Sequence, residues 1–256
     1  MAARKKLGLL APNDPEPVEI LHPTSSADVL LVCEHAGREV PAQLNGLGIS
    51  NEVLESHRGW DIGAASVAQR LAVHLDAPLV LQRYSRLVID ANRPPGSASS
   101  IPEISHGAEI PANRDLSEAK RTARVSEILE PMDAAIEETF ERFPRRAAFS
   151  VHSYTPELNG VYRPWQAGML TRRSPETAKR LIATLRREAS DLNVAMNEPY
   201  QIEDDGDWFI PHHAEPRGLP HSLIEIRNDE ISDDAGAARW AALLATAISE
   251  VLEELR

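Results

Sequence analysis

The run Val29-Leu30-Leu31-Val32-Cys33 stops abruptly at Glu34-His35-Ala36-Gly37. Five apolar residues without alternation, with valine at 29 and 32, predict a strand buried on both faces. Ala147-Ala148-Phe149-Ser150-Val151, ending at His152, and Leu223-Ile224-Glu225-Ile226 repeat the pattern, and Leu79-Val80-Leu81 and Leu87-Val88-Ile89 read as two further strands. Helical spacing fills the intervals. Asp61 opens one such pattern, with Ile62, Ala65, Val67, Ala68, Leu71, Ala72 and Leu75 following. Residues 115–142 form a second, with Ser117 as its cap, and residues 174–188 a third behind Ser174-Pro175. Residues 233–255 form the last, with Trp240, Leu243, Leu244, Ala247, Ile248 and Leu252 on one face. Short apolar strands alternating with helices predict a single α/β domain over 28–256, its mainly parallel central sheet covered by helices on both faces. Residues 1–27, with four prolines, read as an extended leader, and residues 94–114 as a long surface loop.

Composition removes several classes of function. At 256 residues the chain allows one large domain or two small ones. Its 27 Lys and Arg against 39 Asp and Glu give a net charge of −12, which argues against nucleic acid as a partner and against a polybasic membrane anchor. No stretch reads as the roughly 18 apolar residues that span a bilayer. The single cysteine, Cys33, excludes an internal disulfide, a four-cysteine zinc site and a CxxC pair, and its place inside a strand makes it a small core hydrophobe. The opening MAARKKLGLLAPNDPEP has only a short apolar stub before Pro12, too little for a signal-peptide core, so a cytoplasmic protein is expected.

Polar residues collect just past the apolar strands: Glu34-His35, Asn92-Arg93, His152-Ser153-Tyr154, and Glu225 with Arg227. In open α/β sheets the crevice outside the carboxyl ends of the strands is where ligands bind. His35, Asp61 and His152 are candidates for a three-ligand catalytic zinc site, against the alternatives of hydrogen-bonded strand-end histidines and an ordinary helix-capping aspartate. His212-His213 follow no strand and read as loop residues. A carboxylate at Glu225, inside an apolar strand, is costly unless paired or coordinated. It is either a proton acceptor near a metal or half of a buried Glu225–Arg227 ion pair. Arg86, Arg93, Arg163 and Arg227 are candidate carboxylate clamps, and Tyr154 a hydrogen-bond donor or packing residue. Arg121, Arg124, Arg145 and Arg146 read as surface charge. No serine-hydrolase elbow, P-loop or GxGxxG is present.

Five blocks in order carry a resemblance from about residue 29 to the C-terminus: Leu31-Val32-Cys33-Glu34-His35-Ala36-Gly37, Trp60-Asp61-Ile62-Gly63, Ser85-Arg86-Leu87-Val88-Ile89-Asp90-Ala91-Asn92-Arg93-Pro94, Val151-His152-Ser153-Tyr154, and Leu223-Ile224-Glu225-Ile226-Arg227-Asn228-Asp229. The set resembles the N-formylglutamate amidohydrolase family. The resemblance implies a phosphorylase/hydrolase-like α/β fold and a zinc ion held by His35, Asp61 and His152. Position 38 is arginine, so the HxxE spacing of the carboxypeptidases is absent, and Glu34 is the fallback acidic ligand. It further implies Glu225 as general base and Arg86 as the group polarising the scissile carbonyl. Asn92-Arg93 would grip the substrate carboxylate, with Arg163 or Arg227 assisting. The expected activity is hydrolysis of N-formyl-L-glutamate to formate and L-glutamate. A related zinc amidase or peptidase acting on another N-acyl amino acid or a muropeptide is the alternative enzyme. A non-catalytic anion-binding protein on the same fold is the alternative from another class.

Overall fold

In a computed structural model, residues 8–255 are described. The run that opens the sequence argument is a strand, β2 (Val29–Cys33), buried along its whole length. In chain order the other elements are β1 (Val18–Leu21), α1 (Asn51–Glu55), α2 (Ala64–Leu75), β3 (Leu79–Gln82), the two-residue strands β4 (Ile104–Ser105) and β5 (Ala108–Glu109), and α3 (Glu118–Arg124). A π turn at Val125–Leu129 joins α3 to α4 (Glu130–Arg142). Then come β6 (Ala147–Tyr154), β7 (Glu157–Leu158), β8 (Val161–Tyr162), β9 (Ala167–Leu170), α5 (Pro175–Glu188), β10 (Val194–Met196), β11 (His221–Arg227) and α6 (Asp234–Glu254).

Seven strands form the central sheet in the order β1-β3-β2-β6-β11-β9-β10. β3, β2, β6 and β11 run parallel to one another, as do β9 and β10, while β1 on β3 and β9 on β11 are antiparallel. The mainly parallel α/β expectation holds for the core of the sheet, and the antiparallel members lie towards its edges. Side-chain alternation splits β2 between two apolar layers. Val29, Leu31 and Cys33 join Phe149, Val151 and Ile224 beneath α2, α5 and α6. Leu30 and Val32 join Val80, Ala148 and Leu223 beneath Met132, Ala135 and Ile136 of α4. Both layers are apolar and buried, which is why strands without polar alternation are stable here. Contrary to expectation, one described helix, α6, is long and apolar enough to cross a bilayer. Its Trp240, Ala241, Leu244, Ala247 and Ile248 are instead buried in the layer shared with α2 and α5.

The sheet differs from the sequence reading at several points. Leu87-Val88-Ile89 is buried but is not a strand. The Ser85 hydroxyl accepts from the Leu87 N–H at 3.1 Å and the Ser85 carbonyl from the Val88 N–H at 2.8 Å, closing a turn. The three side chains plug a third apolar cluster with Leu47, Tyr84, Ile101 and Ile110. Their carbonyls are met by side chains in place of a ladder: Asn113 donates to Leu87 O at 2.9 Å and Arg124 to Val88 O at 2.7 Å. Arg124 is therefore a buried structural cation and not surface charge. Arg145 is likewise buried, donating to the carbonyls of Ala27 and Ser25. Residues 94–114 are folded into helical turns and the β4–β5 hairpin. β1, β9 and β10 had no sequence assignment; β1, from the proline-rich leader, pairs with β3 along the edge. His212-His213 lie in a π-helical turn, Ile210–Ala214, with the His213 imidazole between Glu137 and Asp133 at 2.8 and 3.0 Å.

Past β2 the chain runs hard against the end of β3. Glu39 N–H donates to Arg83 O at 3.0 Å, and a Cβ added at Gly37 would stand 2.0 Å from that same oxygen. Only glycine allows this approach, which aims His35 across the sheet. Gly37→Ala is expected to lower stability by about 1–3 kcal/mol through backbone displacement, read as a lower urea midpoint; an unchanged midpoint would contradict the close packing.

Candidate active site

Three chain segments deliver the central cluster. His35 is the second residue past β2. His152 lies within β6, which runs on to Tyr154, and its register partner on β11 is Glu225. Asp61 was expected in the first turn of a helix; α2 begins only at Ala64 and its N-cap is Gly63, at φ 82°. Released from capping, Asp61 is fixed by its own backbone: its N–H donates to His35 O at 3.0 Å and its carbonyl accepts from Ala64 at 3.2 Å.

The donor atoms converge on one point. His152 Nδ1 is 2.9 Å from Asp61 Oδ2 and 3.1 Å from His35 Nδ1, which is 3.3 Å from the same carboxylate oxygen. This is the group of side chains among the described residues with the spacing to hold a metal ion. Four donors on a tetrahedral ion with bonds of about 2.0–2.1 Å stand about 3.3 Å apart, close to the separations found. The opposite ring nitrogens face carboxylates: His35 Nε2 lies 2.7 Å from Asp90 Oδ1, and His152 Nε2 has Glu34 Oε2 at 3.0 Å, an ionic contact more than an aligned hydrogen bond. Both rings therefore turn Nδ1 inward, with a carboxylate behind, the arrangement that orients metal-ligating histidines. Glu34, the fallback ligand, stands behind His152 and takes a hydrogen bond from the Ser150 hydroxyl at 2.5 Å.

The electrostatics point the same way. Arg86 forks onto Asp90 Oδ2 at 3.1 and 2.7 Å and reaches Asp61 Oδ1 at 3.4 Å. Burial opposes the charged forms of both Asp61 and Asp90. The imidazoles outweigh it for Asp61, and Arg86 with His35 for Asp90, so both carboxyls are held below their usual range. Burial also opposes a charged His152, but Glu34 and Asp61 raise it well above the ordinary imidazole value. Glu34, Asp61 and Asp90 are met by Arg86 and, at 3.8 Å on Asp90, by Arg93, so with neutral imidazoles the cluster keeps one negative charge in excess. A divalent cation at the Nδ1–Oδ2–Nδ1 point fits both that charge and the donor set. Glu225 differs from its neighbours: burial, reinforced by the charge of Asp61, pushes its carboxyl up to about 8. Its Oε2 is buried without a hydrogen-bond partner among the described residues.

A cavity of about 380 Å³ opens over the cluster, within the range of small-molecule sites. His35, Asp61, His152, Arg86, Asn92, Arg93, Tyr154 and Glu225 all line it. The Glu225–Arg227 ion pair does not form. Arg227 faces away, donating to Asp229 at 2.7 Å, to Glu230 at 3.2 Å and to the Tyr162 hydroxyl at 3.2 Å. Arg163 is also outside the lining, held 5.6 and 5.0 Å from the ring centres of Tyr154 and Tyr200, with a 2.8 Å hydrogen bond to the Tyr200 hydroxyl. Asn92 reaches the lining with its amide committed: Oδ1 accepts from the N–H groups of Trp208 and Phe209, and Nδ2 donates to Asp207. Tyr154 gives its hydroxyl to Trp165 O. Among the described residues, the ion pair that Arg93 makes is with Asp90, at 3.8 Å. His57, His106, Tyr200, Glu203 and Asp207 also face the cavity and had no signal in the sequence. They come from irregular segments, where no periodicity marks a face.

Comparison with known proteins agrees with this geometry. The profile of the N-formylglutamate amidohydrolase family matches residues 27–232. None of the curated proteins matches the chain. Among solved structures, a gene product of Agrobacterium tumefaciens (Atu2144) superposes with a TM-score of 0.90 at 36% identity, over 96% of this chain and 99% of that one. N-formylglutamate amidohydrolase from Ralstonia eutropha superposes at 0.70 with 18% identity, over 94% of this chain and 98% of its own, and shares the fold. The span matched by the profile holds all three converging donors together with Glu225, and the chain belongs to the N-formylglutamate amidohydrolase family, as a hydrolase acting on an amide.

Proposed function

We propose that the protein is a zinc-dependent deformylase that converts N-formyl-L-glutamate to formate and L-glutamate. The convergence of two imidazole nitrogens and one carboxylate oxygen within 3.3 Å of one another, beneath a cavity that also holds Glu225, carries this reading. Two nitrogens and an oxygen suit zinc. When bound, such an ion polarises the substrate carbonyl and lowers the pKa of its water to about 7.

The chain's own residues supply the rest. Glu225 accepts a proton from the attacking water as the water oxygen bonds to the formyl carbon. Breaking the C–N bond then returns that proton to the leaving nitrogen, so the freed amino acid departs as an amine. Without a metal, a carboxyl with a pKa near 8 keeps its proton at neutral pH; a divalent cation held by His35, Asp61 and His152 would lower that value and leave Glu225 as the carboxylate this shuttle needs. Arg86, clamped on Asp90, offers its remaining N–H groups to the oxyanion without having to reorganise. Arg93 receives the α-carboxylate. Asn92 acts by fixing the 207–209 segment, Arg163 by holding the Tyr154 and Tyr200 rings, and Arg227 by bracing the segment that carries Tyr162.

Purified protein is expected to hold about one zinc per chain, and His152→Ala to lose it. Glu225→Gln is expected to keep the metal while formate release falls by about 10²–10⁴-fold; full activity in that variant would overturn the proton-shuttle role. A pH dependence follows for chelator-treated protein. The folded chain holds the Glu225 proton up to about pH 8, whereas an unfolded glutamate releases it near 4.5. The folded state thus binds more protons in that interval, and stability falls as pH rises through it. The melting temperature of Glu225→Gln minus that of wild type should grow from pH 5 to 8 and level off above. A difference that stays constant with pH would contradict the assignment.

A further inference from the structure

Two histidines at the cavity wall have no part in the chemistry described so far. His57 comes from the turn between α1 and α2, and His106 from the tip of the β4–β5 hairpin. Their ring centres are 5.2 Å apart. The tip is built for this position. His106 at φ 44° and Gly107 at φ 79° form a two-residue loop with both residues left-handed, a conformation that favours asparagine-glycine and places strain on histidine. Arg58, next to His57, clamps the tip by donating to His106 O at 3.3 and 3.1 Å. The Nε2 atom of His57 is buried and has no hydrogen-bond partner among the described residues. A desolvated donor left unpaired is costly.

We propose that His57 and His106 form the subsite that receives the side-chain carboxylate of the substrate. This rests on the deformylase reading for the identity of the ligand. The charges that act most strongly on the two rings are positive, those of Arg58, Arg86 and Arg163. Burial first, and then this positive surround, pushes His57 down to about 4 and lowers His106, so both rings are neutral N–H donors at neutral pH. A neutral donor pair in a positive field selects an anion with oxygen acceptors. The acidic lining residues Glu203 and Asp207 lie instead on the Gly206 side, beside Arg93. Arg93 contacts Asp90, which backs the His35 ligand, so it sits nearest the scissile bond and takes the α-carboxylate. The histidine pair, with His106 exposed at the mouth, is left for the second carboxylate.

Calorimetric titration of the zinc-loaded protein with L-glutamate and with L-glutamine tests this directly, because the two differ only in the side-chain carboxylate. Wild type is expected to bind glutamate at least tenfold more tightly. His57→Phe, which keeps a ring without the donor, and His106→Gly, which keeps the left-handed loop, should each bring the ratio of dissociation constants towards one by weakening glutamate alone. His57→Gln, which keeps an N–H donor, should retain most of the preference. Equal affinities in wild type, no glutamate binding, or variants that weaken both ligands alike would overturn the subsite. Formate release from N-formyl-L-glutamate and N-formyl-L-glutamine reports separately on the reaction. If neither is hydrolysed the deformylase reading falls, while the affinity ratio still decides the role of the histidine pair.

Discussion

Buried negative charge at the carboxyl ends of β2 and β6 is the constraint on which this structure turns. Glu34, Asp61 and Asp90 are all buried; the Arg86 guanidinium lies among them, and that of Arg93 stands 3.8 Å from Asp90. Desolvating an ion costs several kcal/mol even after relaxation, and the apolar layers on either side of the sheet provide no compensation. The compensation is local: Arg86 on Asp90 and Asp61, the Ser153 N–H and two imidazoles on Asp61, the Ser150 hydroxyl on Glu34. What remains is an excess of negative charge near the point where three donor atoms meet, and a cation there would complete the balance.

That requirement explains parts of the fold that look unrelated to it. Asp90 must stand behind His35 at the end of a connection from β3, and the turn over Ser85–Ile89 brings it there. The turn is held by its buried apolar side chains and by Arg124 and Asn113, which occupy carbonyls that a strand would have paired. Gly37 lets the chain past β2 pack on Arg83 and orient His35. β6 runs on past its neighbour β2 and carries His152 beside Glu225 of β11. Glu225 differs from Asp61 and Asp90 beside it: burial outweighs the nearby positive charges and favours its neutral carboxyl. It shares a pocket with carboxylates held ionised, and environments that push like groups apart are how acid–base roles are divided.

The parts of this arrangement readable in the sequence are those with strong local signals. β2, β6 and β11 are mostly apolar runs that end or are interrupted at a polar residue, so the strands emerge together with His35, His152 and Glu225. Leu87-Val88-Ile89 has the same apolar signature but is buried by a turn and two distant side chains, which periodicity cannot register. β9 and β10 are short, and Gly168 in β9 gives no apolar pattern; a Cβ there would strike Glu198 O. Arg163 and Arg227 show why residue type alone misassigns clamps: a guanidinium near a site serves as readily to brace tyrosines or a turn as to meet a substrate. The reverse error hid Arg124 and Arg145, charged residues whose burial depends on carbonyls left over by irregular chain. His57 and His106 come together only through a hairpin whose fold rests on two left-handed residues.

Anomalous diffraction from crystals of the active enzyme, recorded on either side of the zinc absorption edge, tests the central claim most directly. The account predicts one peak bonded to His35 Nδ1, Asp61 Oδ2 and His152 Nδ1 at about 2.0–2.2 Å. A catalytically active crystal with no peak at that point, or with the metal held by other side chains, would contradict it.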